Sequence, residues 1–248
     1  SSYSITWNTT PVNSFVPVTD AVLPASPLNI SIPAGTNPGT YTGNITVKNA
    51  NGCISNSTAF TLAVNTLPTA TISGTTTVCQ NGSAPTITLS GTNGTTPYTF
   101  SYTINGGSSQ NISTVGSNST VTVTVPVGTP GSYLYAITNV QGANGCSNAV
   151  SGQSATVNVN AVPVISSHPS TATQNLCIGA STTLSVTATA GSGAISGYQW
   201  YSNSTASNTG GTAVAGANSA TFTPNTNTIG TTYYYVVVTN SNGCSTAS

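Results

Sequence analysis

The chain has 248 residues, is 37% hydrophobic, and carries one Lys+Arg, one Asp+Glu and one His, namely Lys48, Asp20 and His168. Nucleic-acid binding needs several cations to displace phosphate counterions, and a calcium-clamped rod needs clustered carboxylates. General acid–base catalysis draws on His, Asp, Glu or Lys, each present once or never, so nucleic acid, metal and most enzymology are excluded and no cofactor is expected.

In chain order, the elements are short alternating runs separated by turn pairs. The first run carries Trp7; it is followed by Gly39-Thr40-Tyr41 and by Asn51-Gly52-Cys53. A junction, Asn65-Thr66-Leu67-Pro68, leads to strands expected near 69–73, 85–90, 98–104, 119–125, 132–140 and 154–160. Thr86-Ile87-Thr88-Leu89 and Val121-Thr122-Val123-Thr124-Val125 show the period of two that marks half-buried strands. Asn93-Gly94 and Pro130-Gly131 punctuate them, because Gly and Asn tolerate positive φ. This stretch holds Cys79, Tyr102, Gly131-Ser132-Tyr133 and Asn144-Gly145-Cys146. A second junction, Asn160-Ala161-Val162-Pro163, opens the last stretch, with Cys177, Trp200, Gly230-Thr231-Thr232-Tyr233 and Asn242-Gly243-Cys244. No helical periodicity occurs anywhere, so the class is all-β.

These landmarks repeat. From Gly39, Gly131 and Gly230 to the following Asn-Gly-Cys cysteine is 14, 15 and 14 residues, and Cys79 and Cys177 each stand 67 residues before theirs. The period is 93 to 98 residues. A repeat of that length, with an aromatic in its third strand and a Tyr opening its sixth, reads as tandem immunoglobulin-like β-sandwich domains. Three units are expected: 1–65, lacking its first strands; 66–160, complete; and 161–248, lacking its last strand. The chain thus reads as a piece of something longer. It is too hydrophobic and too weakly charged for disorder, and no run approaches the roughly 20 apolar residues of a membrane span.

Tyr198-Gln199-Trp200-Tyr201-Ser202-Asn203, Thr231-Thr232-Tyr233-Tyr234-Tyr235-Val236-Val237-Val238 and Asn242-Gly243-Cys244 resemble the Ig-like and PKD-like repeats of giant Bacteroidota cell-surface adhesins. That group includes gliding-motility adhesins exported by type IX secretion. The Cys-x-x-Gly opening from Cys79 to Gly82 fits the same repeats, with Cys177-Ile178-Gly179 one residue shorter. The resemblance covers nearly the whole chain and implies an extracellular adhesin, stalk or filament with no catalytic residues to carry over.

Five cysteines at repeated positions, Cys53, Cys79, Cys146, Cys177 and Cys244, point to disulfides and an oxidising, exported setting. Equal spacing suggests Cys79–Cys146 and Cys177–Cys244, each within a unit. Sandwich topology favours Cys79–Cys244 instead, because a cysteine before the second strand and one after the sixth lie at opposite ends of one domain. Both schemes stay open at this point. Trp7, Tyr102 and Trp200 are expected in the cores; Tyr198 and Tyr201 are the candidates for surface contacts, glycans among them. Two functions follow. One is a structural and adhesive repeat segment whose partners are neighbouring repeats of the same chain or filament. The other is a carbohydrate-binding accessory module of a secreted polysaccharide-degrading enzyme. Strands such as Thr120–Val125 carry no charge to guard an edge, so adjacent domains or neighbouring chains are expected to bury each other's edges.

Overall fold

The computed structural model describes all residues 1–248, and every regular element in it is a β-strand. Alternating Thr/Ser and Val/Ile/Tyr positions pleat to opposite faces, and the second and third units enclose the apolar set in a core.

In residues 1–65, β1 (Ser2–Trp7), β2 (Val18–Val22), β3 (Gly39–Lys48) and β4 (Thr58–Val64) form one sheet in the order β2-β1-β3-β4. Trp7, Gly43 and Phe60 stand in one row across it. A Cβ on Gly43 would lie 2.7 Å from the Phe60 ring, so only glycine lets that ring lie flat between the strands. Trp7 stacks on Phe15 at 4.3 Å between ring centroids and meets Phe60 edge-on at 5.2 Å. No second sheet covers this face, and a groove lined by Tyr3, Ile5, Trp7, Val16, Ile30 and Ile32 stays open along it. Trp7 is therefore half-buried and not the enclosed core aromatic expected from its position in the repeat.

Residues 66–160 hold β5 (Thr69–Ser73), β6 (Thr76–Cys79), β7 (Thr86–Thr92), β8 (Tyr98–Ile104), β9 (Gln110–Ser113), β10 (Thr120–Thr124), β11 (Gly131–Gly142), β12 (Ser147–Ala149) and β13 (Ser154–Asn160). One sheet runs β10-β7-β5; the other runs β6-β13-β11-β8-β9, with β12 also on β11. The chain thus crosses from one sheet to the other between β5 and β6, where β6 pairs parallel to β13. Ile87 and Leu89 from one sheet meet Phe100, Tyr102, Tyr135 and Val157 from the other in a closed core. This is an immunoglobulin-like sandwich. The six strands read from periodicity are present; β6, β9 and β12 are further ones, too short to show alternation.

In residues 161–248 the strands are β14 (Val164–Ser167), β15 (Leu184–Ser185), β16 (Thr187–Thr189), β17 (Ile195–Asn203), β18 (Thr212–Ala213), β19 (Thr221–Phe222), β20 (Tyr233–Asn240) and β21 (Ser245–Ala247). β15 and β16 are one strand interrupted at Val186, pairing with β19 and β14 respectively. The facing sheet runs β18-β17-β20-β21. Trp200 is fully buried against Val186, Val236 and Val238, and its Nε1–H donates to the Ser219 carbonyl at 2.9 Å.

Two tyrosines pin the strand that opens with Gly-x-Tyr. Tyr41 donates to the Asn37 carbonyl at 2.7 Å and Tyr133 to the Thr129 carbonyl at 2.8 Å, the tyrosine corner of such sandwiches. The extra residue in Gly230-Thr231-Thr232-Tyr233 moves Tyr233 off that position, and it is exposed. No sheet runs from one unit into the next. The expected sharing of edges between adjacent units is therefore not how they join.

Candidate functional site

The site is the junction between residues 66–160 and 161–248, and it begins with strand register. Parallel pairing sets Cys79 opposite Asn160, the last residue of β13. The next three residues, Ala161-Val162-Pro163, are the linker, so Cys79 stands where the chain leaves its sandwich.

Cys244 comes to the same place from the other side. Residues Asn240 to Cys244 form the turn between β20 and β21: Gly243 N–H donates to the Asn240 carbonyl at 3.0 Å, and Asn240 N–H to the Cys244 carbonyl at 2.9 Å. Gly243 has φ +79°, the left-handed value that closes this type of hairpin. Asn240 Oδ1 accepts the amides of Asn242 at 3.1 Å and Cys244 at 3.0 Å. Its Nδ2 donates to the carbonyls of Ala161 at 3.0 Å and Ala190 at 2.9 Å. One buried side chain thus shapes the turn and holds the linker. Thr246 Oγ1 donates to the Pro163 carbonyl at 2.7 Å, and Ala161 N–H to Ser192 Oγ at 2.9 Å. A Cβ on Gly191 would stand 2.2 Å from the Val162 carbonyl oxygen, so the linker lies directly on that glycine. Across this seat Cys79 and Cys244 form a disulfide, with Cα atoms 5.5 Å apart and a sequence separation of 165.

The first junction has linker contacts of its own, without the bond and without a counterpart of Asn240, since Gly142 stands at that position. Asn148, two residues after Cys146 as Thr246 is after Cys244, donates from Nδ2 to the Pro68 carbonyl at 3.1 Å. Thr66 Oγ1 donates to the Asn93 carbonyl. Cys146 is a free, half-buried thiol here, and Cys53 and Cys177 are free and exposed. Neither pairing within a unit, Cys79–Cys146 or Cys177–Cys244, is formed.

Tyr102 and Trp200 lie in closed cores. Tyr198 shares the face of Trp200, two residues away on the same strand, and packs against that core. It is half-buried, so part of its ring remains at the surface. Tyr201 points to the opposite face, where it stacks on Tyr235 at 5.0 Å and 7°. Asp20 pairs with Lys48 at 3.5 Å on the exposed surface of the first sheet, and His168 is exposed after β14. Asn240 and Asn49 were missed by sequence reasoning; their signal was the longer motif Asn-x-Asn-Gly-Cys, shared by residues 49–53 and 240–244.

Residues 168–248 match a family described as a domain of unknown function (DUF8696). No curated protein matches the chain. Solved structures similar to it include a three-immunoglobulin-domain segment of titin, at 14% identity over 99% of this chain and 85% of that one, TM-score 0.41. Fibronectin(III)-like modules of Clostridium thermocellum CbhA are similar at 13% identity over 73% and 90%, TM-score 0.34. The first two immunoglobulin domains of DIP-gamma are similar at 13% identity over 72% and 94%, TM-score 0.33.

Proposed function

We propose that this chain is a structural and adhesive segment of a long extracellular surface protein or filament, in which immunoglobulin-like units are held end to end without catalysis. The observation that carries the reading is the Cys79–Cys244 bond across a linker whose carbonyls are already held by Asn240 and Thr246. A hinge between independent binding modules needs no such double fixing. The cell-surface setting rests on the cysteine usage and on the resemblance to Bacteroidota adhesin repeats exported by type IX secretion. Partners are neighbouring repeats, with surface glycans as a further class. Small-angle scattering of the oxidised chain should give one rigid, elongated particle whose maximum dimension fluctuates more after reduction. Flexible beads in both states would overturn the reading.

A carbohydrate-binding accessory module is the second reading, favoured by one observation: half-buried Tyr201, backed by the buried Tyr235 ring on which it stacks, lies on the same sheet as exposed Tyr233. Saturation-transfer NMR with plant and bacterial polysaccharides tests it. Contacts at these rings would favour the module over the rod.

A further inference from the structure

We propose that Asn81 and Asn242 are a pair of latent modification sites, kept as asparagine by the Cys79–Cys244 bond and converted to aspartate and isoaspartate once that bond is reduced. Such a switch operates whether or not the chain serves as a rod.

The chain has six Asn-Gly pairs, at Asn51, Asn81, Asn93, Asn105, Asn144 and Asn242. This dipeptide loses its side-chain amide most readily, because glycine has no Cβ to shield its backbone nitrogen. That nitrogen, once deprotonated, attacks the asparagine Cγ, and the side-chain amide leaves as ammonia. Water then opens the five-membered imide at either carbonyl, giving aspartate or isoaspartate. Overall one amide and one water become one carboxylic acid and one ammonia; nothing is oxidised or reduced.

The reaction needs two freedoms: the side chain must swing onto the nitrogen, and the Gly N–H must leave its acceptor. The fold withholds them unequally. Asn105 is fixed at both ends, Oδ1 accepting the Leu134 amide at 2.7 Å and Nδ2 donating to the Ser132 carbonyl at 3.1 Å. Asn93 Nδ2 donates to Thr69 Oγ1 at 3.3 Å, and Asn144 Oδ1 accepts the Cys146 amide at 3.2 Å. Asn51, Asn81 and Asn242 are exposed and engage only their backbone amides, with Asn49 Oδ1, the Val127 carbonyl and Asn240 Oδ1 respectively. Their remaining restraint is the turn itself. Gly52, Gly82 and Gly243 N–H donate to the carbonyls of Asn49 at 3.1 Å, Cys79 at 3.0 Å and Asn240 at 3.0 Å.

Two of these three turns are locked by the disulfide. Cys79 supplies the carbonyl that holds Gly82, and buried Cys244 directly follows Gly243. Swinging either asparagine onto its glycine nitrogen twists the backbone beside a cysteine bonded across the junction. Reaction therefore waits on local opening of the turn, which a cross-link between the two turns suppresses. Asn51 sits in the turn matching that of Asn242, beside the free thiol of Cys53, and supplies the comparison. Isoaspartate routes the main chain through its side-chain carbon and lengthens the turn by one atom. At residue 242 this displaces the amides held by Asn240 Oδ1, and Cys244 no longer returns to Cys79. One reductive event is thereby made permanent.

The test is to age the full chain in mildly alkaline buffer with and without a phosphine reductant, mapping deamidation by mass spectrometry and isoaspartate by enzymatic methylation. In the oxidised chain Asn51 should convert while Asn81 and Asn242 persist. With reductant, or in Cys79→Ser, Asn81 and Asn242 should convert several-fold faster, with Asn93, Asn105 and Asn144 unchanged. Reoxidised after ageing, the chain should regain less Cys79–Cys244 than a freshly reduced sample, and Asn242→Gln should raise that yield. Equal rates at Asn81 and Asn242 in both redox states would overturn the inference. So would equal acceleration of all six sites, the mark of unfolding throughout, or fastest loss at Asn105. Each of those outcomes leaves the rod reading intact.

Discussion

Asn240 shows how much of the junction rests on single side chains. Both ends of its amide are used while it is buried, so Asn240→Ala leaves the Ala161 and Ala190 carbonyls without their donor. The expected cost is about 1–3 kcal/mol, measured by urea unfolding followed through Trp200 fluorescence in a Trp7→Phe background. The two tryptophans should differ. Trp200→Ala empties an enclosed site and should cost about 3–5 kcal/mol, whereas Trp7→Ala acts on a half-covered face and should cost clearly less in the same assay. At Tyr135, burial first, then the neighbouring Tyr102 and Tyr133, raise the pKa above the usual 10.0. The neutral phenol is thus favoured in the folded state. Its contribution is fully present below the unfolded value and is lost as pH rises through the folded one. Melting temperature should be flat from about pH 5 to 9 and fall at alkaline pH, and Tyr135→Phe should lessen that fall.

At the scale of strands, the legible part was what periodicity records. The alternation in Val121-Thr122-Val123 or Tyr98-Thr99-Phe100 declares one buried and one wet face, so those strands could be placed from composition of the run alone. β6 could not, because four residues ending in Cys79 are too few to show a period, and its parallel partner β13 is far along the chain. That one strand decides the disulfide, since register with Asn160 carries Cys79 to the linker. The class of the cysteines was visible as spacing; their pairing depended on this long-range contact. Tyr198 shows the same period at work: two residues before Trp200, it shares that residue's face and is half-buried against the core. Edges follow the same logic. β10 is an edge strand with no charged residue, and Thr122 is exposed on it. Thr122→Lys should change stability by less than about 0.5 kcal/mol while lowering self-association of the chain, as read by light scattering at high concentration. An unchanged scattering profile would show that this edge takes no part.

For the whole molecule, order is maintained with almost no electrostatics. The lone Asp20–Lys48 pair is exposed, and such pairs contribute at most about 1 kcal/mol. Alignment of the second and third units comes instead from the linker's hydrogen bonds and from one covalent bond. Closing a loop of sequence separation 165 restricts the unfolded chain by about 5 kcal/mol in the chain-entropy treatment. Cys79→Ser should therefore lower the melting temperature of both units together, by differential scanning calorimetry, to the value the wild type shows under reductant. Independent melting of the two units, each unaffected by reduction, would contradict a shared staple.

The bond also changes what tension does. A pull applied along the chain reaches Cys79 at the end of β6 and passes to Cys244 just before β21. The load passes through sulfur, and the 165-residue span between the two cysteines is bypassed. At about 3.4 Å per extended residue, that span is roughly 560 Å of contour which cannot be drawn out while the bond is intact. The two sandwiches can lose their folds under force without the rod growing appreciably longer. Only a reductant would release the slack.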